Sequence, residues 1–505
     1  MRLGELVRGL HPAPDVGAAA GVEVTGVAYD SRRVKAGDLF VAVVGTVSDG
    51  HAFAADAARR GARAVAVQAG WPAAREAAAA ATAAGAAAFA VDDARRALAL
   101  LSARFHGYPA LRLRLIGITG TNGKTTSTYL VRAALRQAGR RAGLIGTVQN
   151  FVVDEPRPVE HTTPESADLQ ALLAEMVAGG AGAAVMEVSS HALAMGRVVG
   201  CPFAAALFTN LTPEHLDYHK TMRSYAKAKR ILFEGLAPDA VAVAGADAAW
   251  ARTIVRGTRA RQLWFGIRRA ADVRAENVGS DVRGSRFTLA TPRGRVEVYT
   301  ELPGTYNIYN CLAAAAVAEG LDMPLEAIAQ GIEDVKTIRG RLEPVPTGLP
   351  LTVLVDYAHK TEALKQVLST VRKLVTKPGR LMVVFGCGGN RDREKRPAMG
   401  KVAQRLADRV FVTSDNPRNE KPDEIIKEIV SGFTSMKKVT VEADRRAAIG
   451  LALRQARAGD VVIIAGKGHE TYQITCDVKR PFDDGRIAAE VLRDIEAGAC
   501  VKCTI

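Results

Sequence analysis

No stretch of about eighteen uncharged apolar residues, the length a membrane-spanning helix requires, occurs anywhere in this 505-residue chain. A membrane span is therefore not expected. Met1-Arg2-Leu3-Gly4-Glu5 lacks the basic-then-apolar layout of a secretory leader, so the expected compartment is the cytoplasm. Cysteine is scarce: Cys201, Cys311, Cys387, Cys476, Cys500 and Cys503 make no paired extracellular framework. Cys500 and Cys503 form a lone CxxC with no second pair and no nearby histidine, and read as tail residues rather than a metal or redox site. Basic runs interleaved with aromatics are also missing. The net charge of +15 comes from lysines and arginines scattered mainly over helix faces. Anionic small substrates and ordinary solvation account for that charge, and no nucleic acid partner is expected. Charged residues at 24% and a mean hydropathy of +0.03 leave ample apolar material for several cores.

Against these absences, one segment stands out: Leu115-Ile116-Gly117-Ile118-Thr119-Gly120-Thr121-Asn122-Gly123-Lys124-Thr125-Thr126. An apolar strand-like run feeds a glycine-rich turn, and Thr126 to Gln137 reads as a helix. Glycines let successive backbone N–H groups converge on an anion, and a helix N-terminus adds positive potential. Lys124 has the reach for terminal phosphates, and the Thr125 hydroxyl is placed to ligate Mg²⁺. The general phosphate-loop spacing would need glycine at Ile118 and is missed by that one residue. ATP is the expected ligand.

A length of 505 residues suggests about three domains at roughly 150 residues each. Residues 1–108 alternate strand-like runs (Val22 to Tyr29, Leu39 to Val44, Ala64 to Gln68) with alanine-rich helical stretches, among them Ala73 to Ala88. Tyr108-Pro109 marks a hinge. Residues 109–338 show the β-α alternation of a doubly wound, mostly parallel sheet: the phosphate-loop strand, then Gly143 to Gly146, Ala183 to Val188, Ala204 to Thr209 and Ala240 to Ala244. The polar, strand-rich Ala271 to Tyr299 reads as a small antiparallel flap. A second boundary falls at Ile338-Arg339-Gly340. Residues 339–505 repeat the α/β pattern in a Rossmann-like domain, with strands at Leu351 to Val355, Arg380 to Phe385, Arg409 to Thr413, Lys438 to Val441 and Asp460 to Ala465. The fold class is α/β. No internal repeat is evident.

The central segment holds a second chemical cluster. Glu187-Val188-Ser189-Ser190-His191 ends one buried-type strand, and Thr209-Asn210-Leu211-Thr212-Pro213-Glu214-His215 ends the next. Open α/β sheets place ligand-binding groups at such ends. Glu187 and His215 therefore qualify as Mg²⁺ ligands beside Thr125.

Together these residues resemble the Mur ligase family, over essentially the whole chain, and within it the members that add the third amino acid to UDP-N-acetylmuramoyl-L-alanyl-D-glutamate (UDP-MurNAc-L-Ala-D-Glu). The loop Gly120-Thr121-Asn122-Gly123-Lys124-Thr125-Thr126 is the narrower form used by Mur ligases and folylpolyglutamate synthetases. The resemblance implies a nucleotide-binding site for the UDP-MurNAc acceptor in the first domain, at Asp30-Ser31-Arg32 and Asp49-Gly50-His51, with Ser31, Asp49 and His51 as contacts. It implies that His161-Thr162-Thr163-Pro164 binds the muramoyl dipeptide together with Ser189 and Arg197. Within Tyr225-Ala226-Lys227-Ala228-Lys229, the position matching the family's carbamylated lysine is Lys229, with Lys227 as the alternative register. A carbamate would turn that cation into an anionic Mg²⁺ ligand, and it forms only on a neutral amine, so the site must lower the lysine pKa. Catalytic roles are implied for Lys124, Glu187, His215 and Lys229.

The resemblance places adenine at Leu302-Pro303-Gly304-Thr305-Tyr306-Asn307-Ile308-Tyr309-Asn310, with Asn307 and Asn310 reading the ring, although the family commonly has Phe at Tyr306. Arg341 of Gly340-Arg341-Leu342-Glu343 reaches the phosphates. Asp356 and His359 of Asp356-Tyr357-Ala358-His359 complete the ATP contacts. Lys360-Thr361-Glu362 departs from the usual continuation. Asp415-Asn416-Pro417-Arg418 is the form associated with meso-diaminopimelate, whose distal carboxylate suits a guanidinium fork. L-lysine lacks that carboxylate and would leave Arg418 beside an ammonium. Arg391 is a further clamp candidate, and Gly466 and Glu470 of Gly466-Lys467-Gly468-His469-Glu470 would hold the distal ammonium. Asn390 stands where Asp is usual, and Gly485 interrupts Asp484-Arg486.

The implied chemistry is amide ligation. ATP phosphorylates an otherwise inert carboxylate, and the amine displaces phosphate from the acyl phosphate. Domain closure about the two hinges is expected to assemble the site. Ligation with L-lysine, a sister Mur or folylpolyglutamate-type ligase, and a nucleotide-binding switch without catalysis are the alternatives. The chain is expected to act as a monomer in peptidoglycan precursor synthesis.

Overall fold

The computed structural model describes residues 1–45 and 48–502, so Cys503 lies outside the described residues, as does the side chain of Cys500. Two compact units divide the chain: residues 1–275, 289–296 and 309–331 form the first, and 276–288, 297–308 and 332 onward form the second. The architecture is α/β with a large, mostly parallel sheet.

The first unit opens with a four-stranded parallel sheet, in the order Gly26–Ala28, Asp38–Val41, Ala64–Gln68 and Ala87–Val91. The alanine tract does not form one helix over Ala73 to Ala88. Its helix is Ala74–Ala83, and Ala87 and Ala88 pair with Ala64 and Val65 as the start of a strand. Alanine's helix propensity is a weak local preference, and sheet pairing that buries Phe89 and Val91 overrides it.

In the large sheet the phosphate-loop strand Arg114–Thr119 lies between Ala183–Glu187 and Phe203–Phe208. Beyond Ala183–Glu187 come Ala142–Ile145 and then the antiparallel Asn150–Val152 and Glu155–Arg157. On the other side come Val241–Gly245 and Arg261–Gly266. The segment expected as a small antiparallel flap on this domain lies at the edge of the same sheet: Val273–Asp281 joins Arg261–Gly266 in parallel, followed by Gly284–Thr291 and Gly294–Thr300. The register pairs Ile118 with Glu187 and Thr119 with Phe208, so the phosphate loop, Glu187 and Thr209 all leave the same edge of the sheet.

The helix Lys124–Gln137 starts directly at the loop. Helix Leu325–Asp334 crosses it at Gly331, where an added Cβ would come 2.5 Å from the Cα and N of Ala134. Backbone meets backbone at this crossing.

The second unit carries a six-stranded sheet in the order Glu343–Pro344, Thr352–Asp356, Val461–Ala465, Leu381–Phe385, Arg409–Val412 and Val439–Val441. All pairs are parallel except the first. Strand Val461–Ala465 is buried throughout, which is why its sequence, Val-Val-Ile-Ile-Ala, does not alternate. The five strands expected here form within a residue or two of their expected bounds.

Candidate active site

The loop after Arg114–Thr119 is held in shape by the neighbouring strand end. Gly120 has φ +150° and Gly123 φ +86°, and a Cβ on Gly120 would lie 1.9 Å from the Thr209 hydroxyl. Only glycine permits this geometry. Asn210 clasps Asn122: its Oδ1 accepts from the Asn122 amide at 3.0 Å and its Nδ2 donates to the Asn122 carbonyl at 3.0 Å. Thr209 Oγ1 donates to the same carbonyl at 2.6 Å. Thr121 hydrogen-bonds with Thr212 and Tyr225. Lys124 Nζ donates to the Gly120 and Thr121 carbonyls at 3.0 and 2.9 Å, which lays a cation along the loop. Thr125 and Thr126 are buried in the first helical turn.

Lys229 comes to the same loop from the helix Met222–Glu234. It is 1% exposed, donates to the Gly120 carbonyl at 2.8 Å and sits 4.7 Å over the Tyr225 ring. Burial, with repulsion from Lys124, holds its amine well below the ordinary lysine range. Lys227 on the same helix is exposed. Around Lys229 lies a ring cluster that gathers the expected His215 with His191 and His219, to which the sequence assigned no role. His191 contacts His215 edge-on at 4.8 Å, and His219 stacks on Tyr225 at 5.0 Å while its Nε2 pairs with Ser190 Oγ at 2.9 Å.

Glu187 is buried, and its carboxylate accepts from the Thr147 amide at 2.8 Å and the Thr147 hydroxyl at 3.2 Å. Among the described residues no three His, Cys, Asp or Glu side chains are grouped to hold a metal. Mg²⁺, the ion expected here, keeps several waters and takes one or two protein oxygens together with substrate phosphates. The Thr125 hydroxyl and the Glu187 carboxylate are hard oxygen donors of the required type, and a carbamate on Lys229 would be a third.

The dipeptide-side residues form one connected network in the first unit. Thr163 Oγ1 donates to the Glu187 carbonyl and accepts from the Ser189 amide, at 2.9 and 3.0 Å. Thr162 pairs with Thr147 at 3.0 Å, and Arg197 donates to the Thr163 carbonyl at 3.0 Å. Glu165, missed in the sequence, is paired with both Arg197 at 3.1 Å and Arg95 at 3.5 Å. Arg95, in the first domain, also donates to the Val44 carbonyl at 2.9 Å, and its pair with Glu165 ties that domain to this network. Ser31 and Asp49 sit at short turns of that domain. Both ring nitrogens of His51 are engaged, Nδ1 with Asp49 at 2.6 Å and Nε2 with the Gln68 amide at 3.0 Å. His51 therefore orders the Asp49 turn instead of offering a nitrogen to a ligand.

Asn310, in the first unit, lies against Gly123: a Cβ there would be 2.4 Å from Asn310 Oδ1. Asn307, in the second, donates to the Pro303 carbonyl at 2.9 Å. In the second unit Asp356 caps two loops, accepting from the Leu342 and Ala358 amides at 2.9 and 2.8 Å, and burial raises its pKa. Arg341 lies 5.4 Å from the Tyr357 ring. His359 donates from Nδ1 to the Tyr357 carbonyl at 2.8 Å, and burial lowers its pKa to about 4, so the ring is neutral. Lys395, also not singled out beforehand, donates to the His359 carbonyl at 2.9 Å.

Asp415, Asn416, Pro417 and Arg418 follow Arg409–Val412 and meet the Gly466–Glu470 loop. Asn416 Nδ2 donates to Glu470 at 2.8 Å, and its Oδ1 accepts from Lys467 at 2.9 Å. A Cβ on Gly466 would lie 3.3 Å from Asp415 Oδ2. Arg418 Nη1 donates to the Gly389 carbonyl at 2.9 Å; Nε and Nη2 have no protein partner among the described residues. Arg391 is exposed, and a Cβ on Gly388 would lie 3.7 Å from its Cγ and 2.9 Å from the Arg418 guanidinium.

Beneath this loop the fully buried Arg396 pairs with Glu420 at 2.8 and 2.9 Å and with Glu428 at 2.9 Å. The Arg396 hydrogen bond lowers the Glu420 pKa from 4.5 to about 2. A depressed folded-state pKa contributes stability above the unfolded value that is lost as pH falls through the folded one. Thermal midpoints are therefore expected to drop as pH is taken from about 4.5 toward 2. Glu420→Gln should start lower and lose less over that window.

The chain is similar to known proteins over most of its length. The sequence matches the Mur ligase family catalytic domain over residues 23–106, the Mur ligase middle domain over 118–318 and the Mur ligase glutamate ligase domain over 340–468. The UDP-N-acetylmuramoyl-L-alanyl-D-glutamate–2,6-diaminopimelate ligases of Bacillus licheniformis and Solibacter usitatus are 43% and 44% identical to it. Each alignment covers 98% of this chain, and 100% and 98% of the relative. A solved structure of a ligase of the same description aligns with TM-score 0.70 at 31% identity, covering 98% of this chain and 99% of the other. The MurF ligase from Thermotoga maritima in complex with ADP shares the fold at TM-score 0.61 and 18% identity, over 93% of this chain and 96% of that one. This three-domain α/β chain belongs to the Mur ligase family.

Proposed function

We propose that the protein is an ATP-dependent ligase that joins meso-diaminopimelate to the γ-carboxylate of D-glutamate in UDP-MurNAc-L-Ala-D-Glu. On this reading it works in the cytoplasm as a monomer, in peptidoglycan precursor synthesis. The family and the activity named for relatives aligned over nearly their whole length support the ligation. The observation that carries the choice of amino acid is Arg418, whose Nε and Nη2 have no protein partner among the described residues while its backbone is pinned beside Asn416 and Glu470.

The loop amides of Gly120 to Thr126 bind the ATP phosphates, and Lys124 leaves its carbonyl partners for them. Asn307, Asn310, Arg341, Asp356 and His359 complete the nucleotide contacts, the neutral His359 as a hydrogen-bonding rather than a charged group. Thr125, Glu187, His215 and a carbamate on Lys229 would hold Mg²⁺. Bound there, the ion would supply shielding of phosphate charge. Ser31 and the Asp49–His51 turn position the uridine nucleotide; Thr162, Thr163, Ser189 and Arg197 position the dipeptide, whose carboxylate oxygen attacks the γ-phosphorus and releases ADP. The diaminopimelate amine, oriented by Asp415, Asn416, Arg418 and Glu470 with Arg391 at the rim, adds to the acyl carbon, loses a proton, and phosphate departs from the tetrahedral intermediate.

An amino-acid panel tests this. With ATP and UDP-MurNAc-L-Ala-D-Glu present, meso-diaminopimelate is expected to drive ADP release and L-lysine to be a far poorer substrate. No ADP release with any amino acid would overturn the reaction, and a preference for L-lysine would overturn its specificity.

A further inference from the structure

Lys467 is fully buried, yet it is a cation that the ligation chemistry above does not use. Gly466 and Gly468, with φ +119° and +53°, flank it and turn its side chain inward beneath the amino-acid pocket. Its ammonium has three acceptors: Asn416 Oδ1 at 2.9 Å, Glu470 Oε2 at 3.3 Å and Asp415 Oδ1 at 3.5 Å. All three belong to the pocket proposed to hold the incoming amino acid.

The charges in this hydrogen-bonded cluster can be counted. Asp415 and Glu470 are acidic; Lys467 and Arg418 are basic, Arg418 joining the cluster through Nη1, which donates to the Asn416 carbonyl at 3.4 Å, while the exposed Arg391 at the rim makes no hydrogen bond to it among the described residues. Of the fully buried arginines nearby, Arg445 is matched by Asp484 through bonds of 2.8 and 2.6 Å and Arg396 by Glu420 and Glu428, so neither joins the sum. The cluster is therefore neutral. Diaminopimelate, with two ammonium groups and two carboxylates, is also neutral, whereas L-lysine carries a net positive charge. Without Lys467 the cluster would be anionic and would suit the singly charged diamine instead.

We propose that Lys467 is a specificity-determining residue: its buried ammonium offsets one of the two pocket carboxylates and so favours a dicarboxylate diamine over a monocarboxylate one. The proposal rests on the amino-acid selection set out above. A purely structural role is separable from it, because Asn416 keeps two other anchors: its Oδ1 also accepts from the Ile474 amide at 3.0 Å and its Nδ2 donates to Glu470 at 2.8 Å. Methionine at 467 would fill the lysine's space with a flexible, uncharged chain.

The test measures kcat/KM for meso-diaminopimelate and for L-lysine in the wild type, Lys467→Met, Glu470→Gln and the double variant, with the ATP KM as a control. From wild type to Lys467→Met the diaminopimelate-to-lysine ratio is expected to fall about tenfold or more, with the ATP KM unmoved. The same fall is expected from Glu470→Gln to the double variant. That second comparison stands even if the single Lys467 variant does not fold, since removing both members of a buried pair is tolerated better than removing one. A ratio unmoved in both comparisons, with both diamines losing equally, would overturn the proposal. A wild type that uses neither diamine would overturn the function itself and this proposal with it. A wild type that favours diaminopimelate, paired with unmoved ratios, would overturn the role of Lys467 alone.

Discussion

Lys229→Ala is expected to lower kcat by about a thousandfold, with the protein still folded and still binding acceptor. The size follows from where the amine lies. It is 1% exposed, 2.8 Å from the Gly120 carbonyl, at the turn proposed to cradle the phosphates, and among the described residues it belongs to no ion pair that would explain a buried cation. Burial and Lys124 push it toward the neutral form, which is the form that adds CO₂. Lys229→Arg should be as inactive as the alanine variant, since a guanidinium remains cationic and does not carbamylate. Stripping dissolved CO₂ and bicarbonate should slow the wild type and leave both variants unaffected. Lys227→Ala should behave as wild type, because that side chain is exposed on the other face of the helix. Steady-state ADP release reads all of these, and an active Lys229→Arg protein would remove the carbamate from the mechanism.

Arg418→Asn is expected to weaken diaminopimelate use by about 2–5 kcal/mol in kcat/KM, the scale for removing one partner of a buried charged contact. Asparagine is the informative replacement. Arg418 has φ +52°, a left-handed conformation that asparagine tolerates better than most residues. The backbone is fixed independently of the side chain, its amide donating to the Ile474 carbonyl at 3.0 Å and its carbonyl accepting from the Cys476 amide at 2.8 Å. The loss therefore reports the guanidinium and not the turn. L-lysine turnover should fall much less, because that substrate has no distal carboxylate to lose. Parallel kinetics with the two diamines measure the difference, and an equal loss for both would take Arg418 out of the clamp.

The phosphate loop was legible because its signal is contiguous: strand, two required glycines and helix lie within a few residues of one another. The strands of both large sheets were legible for a similar reason, since buried parallel strands read as short apolar runs. The strand at Arg261–Gly266 was missed because it begins with the polar pair Arg261-Gln262. The alanine tract misled because helix and strand share its composition, and only pairing with Ala64–Gln68 decides where one stops. At the site, Glu165, Lys467 and the Arg445–Asp484 pair have no local signature. Each is anchored by residues tens of positions away, Glu165 by Arg95, Lys467 by Asn416 and Arg445 by Asp484, brought together only by the fold. His51 is the converse case: its motif was visible, but only the Gln68 amide on Nε2 reveals that the ring is a brace.

The crossing of Leu325–Asp334 over Lys124–Gln137 has a mechanical consequence. With main chain against main chain at Gly331 and Ala134, no side chain is available to absorb displacement by changing rotamer. A single methyl at position 331 would have to shift a rigid rod whose leading end is the phosphate loop. Tolerance to mutation at this seam is therefore set by the catalytic tip about two and a half helical turns away, and a substitution that touches no ligand would be felt there as a misplaced lever.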